Sequence, residues 1–281
     1  MNGFFILNYK DSERTVLLAK KAISLNFIDF VFIFDNSCDS DEKDKLSSLS
    51  HDSRIITHYS HDNLGYNKGL TTGLKMCSSM NPDYVFVANS DVDFEEITLF
   101  NLLKTIRDYP NIGIVSCGMI ENNLKVQNYY NYPSFKYICL ALSGLGHFKK
   151  TEKVDLIEIG ENVYEVDFVR NSLVLIDYDV CKKVDFFDDD LFMYFGESAL
   201  SKKLSKIGYK ECIDFNLNYY HNHIFSKKSK LKSWVNYFRD SKVYLQKYEK
   251  FSKLKKIILH ISFGIGYVFR FCLRFMIKRW S

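Results

Sequence analysis

The sequence has little proline, no long apolar run and no pair of cysteines at metal-ligand spacing. Three prolines in 281 residues, with no low-complexity tract, predict a chain that is ordered throughout. No segment reaches about 18 apolar residues without a charge, so the sequence predicts no transmembrane helix. The seven cysteines are scattered, and no signal peptide is expected before them. They predict small buried side chains in a reducing compartment and argue against a structural zinc site.

Two glycine-rich nucleotide-binding motifs are also absent. No G-x-G-x-x-G follows the first predicted strand, and G-x-x-x-x-G-K-[ST] occurs nowhere in the chain. Glycines at those spacings let backbone approach a dinucleotide or a triphosphate closely. The sequence therefore gives no support to a dinucleotide site or a P-loop.

Acidic residues are scarce at the C-terminal end of the chain. Residues 226–281 contain 15 Lys and Arg against 2 Asp and Glu, a net charge of +13, whereas the preceding 225 residues carry −9. A basic segment on an acidic body predicts an anionic partner surface, either nucleic acid or phospholipid.

Apolar runs and helical patterns alternate through the first 118 residues. Such alternation predicts an α/β fold with a mostly parallel sheet flanked by helices. The aromatic stretch 121–165 predicts long loops, and regular structure is expected again over 166–176. The predicted strands are 4–7, 30–34, 54–58, 84–88 and 112–117.

Polar residues follow the apolar strand 84–88 directly. Asn89, Asp91 and Asp93 come immediately after four apolar residues. Carboxylates at i and i+2 can converge on one hard cation at the carboxyl edge of a sheet, where open α/β folds bind ligands. The alternative is that Asp91 and Asp93 cap the helix that begins near Glu95.

Five short motifs occur in the order typical of one enzyme family. They are 8–9 (NY), 35–39 (DNSCD), 63–69 (NLGYNKG), 89–91 (NSD) and 187–194 (FDDDLFMY), the last leading to an acidic residue before a helix. With these motifs the chain resembles family-2 glycosyltransferases of the GT-A fold, and within them the rhamnosyltransferase-like branch of bacterial surface polysaccharide synthesis. The resemblance implies a GT-A type Rossmann-like domain over 1–225, followed by a basic amphipathic helical tail over 226–281.

The resemblance also implies an activity and a set of ligands. The expected reaction is inverting transfer of a sugar from dTDP-rhamnose or a UDP-hexose to a lipid-linked glycan, for O-antigen or capsule, assisted by Mn²⁺ or Mg²⁺. The expected metal ligands are Asp91, Asp93 and His221. The expected nucleotide-sugar contacts are Asn8, Tyr9, Asp35, Asp39, Asn63, Gly65, Lys68 and Asn89.

Simpler structural roles remain open for several of these residues. Asp35 could form only a turn with the residues after it. Gly65, Gly69 and Gly73 could serve helix packing alone. His221 could be an ordinary hydrogen-bonded histidine, and His223 is a less well spaced alternative to it.

Glu197 is the residue expected to act as general base. An inverting transfer needs a carboxylate to take the proton of the acceptor hydroxyl. The resembled family has an acidic pair and a later Asp in this motif, but here Gly196 and Ala199 occupy two of those positions. Glu197 could instead only interact with a helix dipole. This departure keeps open a non-catalytic scaffold that binds sugar nucleotides; a nucleotidyltransferase is a third alternative.

The basic tail ends in a segment of mixed cationic and large apolar residues. Arg270, Arg274 and Lys278 are spaced by four, so they share one side of a helix. This pattern predicts an interfacial helix with snorkelling cations. We expect a peripheral protein on the cytoplasmic face of the bacterial inner membrane; an ordinary packing helix is the alternative. Nucleic acid is not expected as a partner, because no nucleic-acid-binding module is visible.

Overall fold

The computed structural model describes residues 1–144, 153–222 and 230–279, with the side chains of 230 and 271–279 left aside. The chain forms two compact units. The first comprises Met1–Asn131, Val154–Phe192 and Gly196–Phe225, and the second comprises Tyr132–Lys153, Met193–Phe195 and Ser226–Ser281. The domain boundary after residue 225 stays a prediction, and the second unit includes two segments from earlier in the chain.

The first unit is built on one large mixed sheet. The strands of this unit are β1 Asn2–Asn8, β2 Phe30–Asp35, β3 Ile55–Tyr59, β4 Tyr84–Asn89, β5 Val92–Phe94, β6 Ile112–Glu121, β7 Leu124–Val126, β8 Tyr129–Tyr130, β9 Ile157–Gly160, β10 Val163–Val166, β11 Phe168–Val169, β12 Leu173–Asp177 and β13 Lys210–His221. Strands β8 and β11 form a separate pair, and the others belong to the large sheet. The order across the sheet is β3-β2-β1-β4-β12-β6-β13-β10-β9, with β5 on β13 and β7 on β6.

The predicted parallel arrangement is confirmed for the strands that matter to the site. Strands β3, β2, β1 and β4 are parallel neighbours. Strand β12 runs antiparallel between β4 and β6, so β4 and β6 point the same way, and β13 is parallel to β6. The carboxyl ends of β2, β1, β4, β6 and β13 therefore lie along one edge of the sheet.

Helices cover both faces of this sheet. In β1, Phe4 and Ile6 belong to one buried core and Phe5 and Leu7 to the other. Because strand side chains alternate, a strand covered on both faces is apolar at every position. The helices of the first unit are α1 Ser12–Ile23, α2 Ser40–Ser47, α3 Tyr66–Met76, α4 Glu96–Asp108, α6 Tyr178–Lys183 and α7 Gly196–Lys206, and the helix of the second unit that precedes α6 in the chain is α5 Phe135–Ser143.

The prediction of long loops over 121–165 is wrong for much of that stretch. It contains β7 to β10 and helix α5, in which Ser134 accepts a hydrogen bond from the Tyr137 backbone N–H at 3.2 Å. The strands have two to four residues each. Runs that short carry almost no periodic signal. Residues 145–152 of the predicted loop stretch lie outside the described residues.

The second unit packs α5 with α8 Lys230–Tyr248 and α9 Lys253–Arg279. Trp234 is its central side chain: the indole N–H donates to the Leu142 carbonyl at 3.1 Å, and the ring stacks on Phe263 with centroids 4.1 Å apart. In the described part of the chain, no helix is both long and apolar enough to cross a membrane.

Candidate active site

A buried polar network joins the carboxyl ends of β1 and β2. The Asn8 side-chain amide donates to Asp35 Oδ1 at 2.8 Å, and the Ser37 backbone N–H donates to the same oxygen at 3.1 Å. Thr15 donates to Asn8 Oδ1 at 2.8 Å, so the Asn8 amide is fixed in orientation. The Ser37 contact is the turn that was left open as an alternative. The Asn8 contact goes further, because it holds the carboxylate against the neighbouring strand.

Asn36 connects this network to the loop before α3. Its side-chain amide donates to the Gly65 carbonyl at 3.0 Å and to Asn63 Oδ1 at 3.2 Å, and its Oδ1 accepts from the Leu64 N–H at 2.9 Å. Asn36 is fully buried. The contact between Asn36 and Leu64 joins residues that are 28 positions apart in the chain. Through it, the motifs 35–39 and 63–69 form one wall at the sheet edge.

Gly65 is required by its backbone conformation. Its φ of +84° lies in the left-handed region, and a Cβ there would lie 2.6 Å from the Phe192 carbonyl oxygen. The same carbonyl accepts a hydrogen bond from the Tyr66 N–H at 2.7 Å. Gly73, by contrast, fits the packing alternative, because a Cβ there would meet Phe34 at 3.0 Å.

The Tyr66 hydroxyl lies between several predicted site residues. It is 3.1 Å from both Asn89 Oδ1 and the Asn171 carbonyl oxygen. Burial raises the pKa of Tyr66 most, and the nearby charges of Glu197 and Asp91 raise it further. The end of β4 and the start of α7 are therefore brought together around one hydroxyl.

Asp91 and His221 form the best candidate for a metal site. His221 Nε2 lies 3.3 Å from Asp91 Oδ1, and His221 Nδ1 lies 2.6 Å from Glu121 Oε1. Burial alone would lower the pKa of His221, but the Asp91 and Glu121 carboxylates together raise it. Arg170 Nη1 lies 3.5 Å from the same Glu121 oxygen. Sequence analysis missed Glu121 and Arg170, because a single charged residue at a strand end is not distinctive.

Asp93 is not part of this group. It forms an ion pair with Lys21, and its side chain is half exposed. Strand β5 buries Val92 and Phe94, so the residue between them faces the other way. The predicted metal role of Asp93 therefore has no geometric support. The alternative cap role is also absent, because α4 follows Glu95 without a side-chain cap.

The donor set at Asp91 and His221 fits a divalent cation that also binds a diphosphate. Within residues 1–144, 153–222 and 230–279, no group of three or more His, Cys, Asp and Glu side chains is placed to hold a metal ion. Mg²⁺ and Mn²⁺ bind the oxygen atoms of carboxylates, water and phosphates and the nitrogen of imidazole. Mg²⁺ often has few protein ligands when a substrate phosphate also binds it. Asp91 and His221 supply one oxygen and one nitrogen donor.

Glu197 lies in the first turn of α7 and faces a small cavity. Burial raises its pKa, while its own backbone N–H, the charge of Arg170 and the Asn171 N–H act in the opposite direction. Glu211 lines the same cavity. Burial raises the pKa of Glu211 well above its ordinary value, and the Glu197 charge adds to that increase. Sequence analysis missed Glu211, which is an unremarkable acid near the start of a strand.

The remaining predicted contacts lie on the surface of the first unit. Asp39 caps α2 by accepting from the Asp41 N–H at 3.1 Å, and it lies 3.8 Å from the Lys10 ammonium nitrogen. Tyr9 and Lys68 are exposed. The predicted contacts of these side chains to a nucleotide sugar stay predictions. His223 lies outside the described residues.

Solved structures with a similar fold are glycosyltransferases. GalNAc-T7 with UDP, GalNAc and Mn²⁺ matches with a TM-score of 0.59 at 13% identity, over 93% of this chain and 54% of its own. The mannosyltransferase PcManGT from Pyrobaculum calidifontis, in complex with GDP-Man and Mn²⁺, matches with 0.54 at 14% identity, over 94% and 69%. TarS 1–349 from S. aureus in complex with UDP-GlcNAc matches with 0.56 at 13% identity, over 95% and 73%.

These similarities show the fold. The chain has the predicted GT-A type α/β architecture, and it spans about half the length of GalNAc-T7. The rhamnosyltransferase-like branch stays a prediction. No protein-family model matches the chain. No curated protein matches it in sequence.

Proposed function

We propose that this chain is a glycosyltransferase that moves a sugar from a nucleotide-sugar donor to a hydroxyl acceptor. One observation carries the proposal: Asn8 with Asp35, Asn89, and Asp91 with His221 lie at the carboxyl edge of one sheet. This is where open α/β folds bind ligands. Glu197 is near enough to the Tyr66 hydroxyl, which contacts Asn89, for its charge to raise the pKa of Tyr66. The similar structures contain UDP, GDP-Man or UDP-GlcNAc, two of them with Mn²⁺.

The network at β1 and β2 is suited to the nucleoside. Asp35 is fully buried and accepts from Asn8 and Ser37, so its second oxygen is the one left to orient a donor group of the base or ribose. Gly65 brings backbone close to the same wall without a side chain. Lys68 is exposed one turn into α3 and would provide a cation for a phosphate.

Asp91 and His221 would hold the divalent cation. When bound, such a cation stabilises the negative charge that develops on a departing diphosphate. Asn89 lies at the end of the same strand, with its amide oxygen on the Tyr66 hydroxyl at 3.1 Å. We propose that this amide orients the ribose beside the cation.

Glu197 would take the proton of the acceptor hydroxyl. A general base works best when its pKa lies near the operating pH. Burial raises the pKa of Glu197 toward that range, and the charge of Arg170 keeps the shift in check. The Glu197 carboxylate would take the hydroxyl proton as the hydroxyl oxygen attacks the anomeric carbon of the sugar on the face opposite the diphosphate. The bond from that carbon to the diphosphate oxygen would break as the new bond forms, so the nucleoside diphosphate leaves and the carbon is inverted.

A lipid-linked glycan on the cytoplasmic face of the inner membrane is the acceptor that we propose. Helix α9 exposes Leu254, Ile257, Ile261, Ile265 and Val268, which recur every three or four residues and so share one face. Lys253 and Lys256 border that face. Such a face is suited to an anionic lipid surface. The proposed sugar is rhamnose or a hexose, and the proposed product is O-antigen or capsule.

One observation favours a second candidate, a non-catalytic scaffold that binds sugar nucleotides. Gly196 stands where the resembled pattern has an acid, and the Asn67 amide fills the adjacent space. The two candidates share the nucleotide site and differ in the role of Glu197.

The test begins with a panel of nucleotide sugars, scored by thermal shift with and without Mn²⁺. A ligand that binds the folded chain raises its melting temperature. Transfer of the binding sugar to a lipid-linked acceptor is then compared for wild type, E197Q and D91N, with D93N as the matched control. We expect E197Q and D91N to lose at least a hundredfold in rate and D93N to keep it. Full transfer by E197Q would exclude Glu197 as the general base. Wild-type protein that binds the donor without transferring the sugar would favour the scaffold. Release of pyrophosphate from a nucleoside triphosphate would indicate a nucleotidyltransferase.

A further inference from the structure

Glu121 meets His221 because two parallel strands end together. In the pairing of β6 with β13, Ile120 is opposite Tyr220, so the next residues, Glu121 and His221, lie side by side as the last residues of the two strands. Strand β5 pairs with the same end of β13, with Val92 opposite His221. Asp91, which precedes Val92, therefore reaches the His221 ring from the other side.

The imidazole lies between two carboxylates, each on a different ring nitrogen. Glu121 Oε1 is 2.6 Å from Nδ1, and Asp91 Oδ1 is 3.3 Å from Nε2. The His221 side chain is only 7% exposed. The shorter contact is between Nδ1 and Glu121, a geometry suited to a hydrogen bond from Nδ1–H to that carboxylate. A cation shared by Asp91 and Nε2 would lie on the far side of the ring from Glu121.

Arg170 completes the arrangement from the segment before β12. Its Nη1 lies 3.5 Å from Glu121 Oε1, and its side chain is partly exposed while the Glu121 side chain is mostly buried. Arg170 and His221 therefore contact the same oxygen of Glu121, which holds that carboxylate in place beside the imidazole ring.

We infer that Glu121, supported by Arg170, is a positioning residue that fixes the tautomer and orientation of His221 so that Nε2 faces a divalent cation at Asp91. The inference rests on the proposed function, since the cation belongs to it. Metal-ligating histidines commonly donate their second ring N–H to a carboxylate, which sets the tautomer and raises the basicity of the ligand. Removal of such a carboxylate typically weakens metal binding about 10-fold to 100-fold.

The test measures Mn²⁺ binding to the full chain by calorimetry, without any sugar nucleotide. We expect E121A to weaken Mn²⁺ binding about 10-fold to 100-fold. E121Q keeps an acceptor oxygen and loses the charge, so its loss should be smaller, and R170Q should resemble E121Q. The matched control is E165Q, which breaks a comparable strand-borne ion pair of Glu165 with Lys210. E165Q should bind Mn²⁺ as wild type does.

A second readout reports the tautomer directly. In ¹⁵N-histidine spectra at alkaline pH, with the His221 signals assigned by their loss in H221Q, we expect the proton on Nδ1 in wild type and a mixture of tautomers in E121A. A wild-type proton on Nε2, or E121A with wild-type Mn²⁺ affinity, would overturn the inference while leaving the metal site in place. A wild-type chain that binds no Mn²⁺ would overturn the metal step of the proposed function, and the inference with it. If E121A does not fold, the comparison of E121Q with wild type still tests the inference.

Discussion

The side-chain amide of Asn67 occupies the space that a side chain at Gly196 would need. A Cβ on Gly196 would overlap the amide oxygen and lie 2.5 Å from Cγ of Asn67. Both amide atoms of Asn67 are buried and have no hydrogen-bond partner among the described residues. The glycine and the buried amide thus form a matched pair at the start of α7, where Glu197 is the residue after the glycine. The absence of an acidic side chain at position 196 is therefore linked to Asn67, whose amide occupies the space that such a side chain would need.

We predict that side chains at position 196 are tolerated only when position 67 is smaller. G196A should destabilise the fold by roughly 1–3 kcal/mol, the usual cost of overpacking a core. N67A alone removes a buried amide without a hydrogen-bond partner, so it should cost little. The double variant should recover much of the loss of G196A. Denaturant unfolding of the four chains measures this coupling, and simple additivity of the two changes would contradict it.

We predict that Gly65 is more sensitive to substitution than another glycine with the same backbone conformation. Gly65 has φ +84° and Gly208 has φ +88°, but a Cβ on Gly208 would meet nothing within 4 Å. G208A should therefore show the left-handed backbone cost alone, roughly 1–2 kcal/mol. G65A should cost more, because its Cβ meets Phe192, and it should also weaken binding of the nucleotide sugar. Equal unfolding free energies for the two variants would show that the Phe192 contact is relieved without cost.

We predict that Glu211 makes stability fall as pH rises above its ordinary pKa of 4.5. Burial raises its pKa in the folded chain, so above that pH the unfolded state releases the proton while the folded state retains it. With more protons bound to the folded state, the free energy of unfolding decreases as pH increases, up to the folded pKa. E211Q keeps an acceptor for the Val169 N–H and cannot ionise, so its melting temperature should gain on wild type between pH 4.5 and pH 8.

The control for this comparison is E158Q, an exposed glutamate on the edge strand β9. Its melting temperature should follow that of wild type at every pH. A constant difference between E211Q and wild type across the range would mean that Glu211 ionises in the folded chain as it does in the unfolded one.

We predict that the exposed face of α9 binds anionic membranes. I261E places a charge in the middle of the apolar face, where Ile261 is 57% exposed, so folding should be unaffected. Sedimentation with vesicles of phosphatidylglycerol should fall at least tenfold for I261E. Leu17, which is also exposed, lies on α1 and gives the control L17E, which should sediment as wild type does. Equal binding to neutral phosphatidylcholine would contradict the role of the lysines, each expected to contribute about 1 kcal/mol near anionic lipid.

The structure changes which cation can serve that surface. Arg270 was expected among the snorkelling cations, but its guanidinium lies over the Trp234 ring, 4.7 Å from the centroid. It also donates to the Gly266 carbonyl at 3.2 Å, and burial lowers its pKa. Arg270 therefore packs inside the second unit. The side chains of Arg274 and Lys278 lie outside the described residues, so their predicted role is unchanged.

Local pattern in the sequence was enough for the framework of the first unit. Buried strands such as β4 are apolar at every position because both faces are covered, and the polar residues after them mark where each strand ends. Parallel strands end at one edge, so Asp35 and Asp91 could be assigned to the same side of the sheet from order alone. The resemblance of the five motifs then indicated the fold, which the similar structures show.

Only the tertiary structure decided which charged residues meet. Glu121 and His221 are 100 residues apart and become neighbours through the pairing of β6 with β13, which no local pattern encodes. Asp91 and Asp93 are chemically alike and two residues apart, yet one meets His221 and the other Lys21. The physical reason is that a side chain's direction follows from the strand geometry, whereas its partner depends on long-range pairing. Residue type and spacing determine the direction of a side chain, and tertiary packing determines its partner.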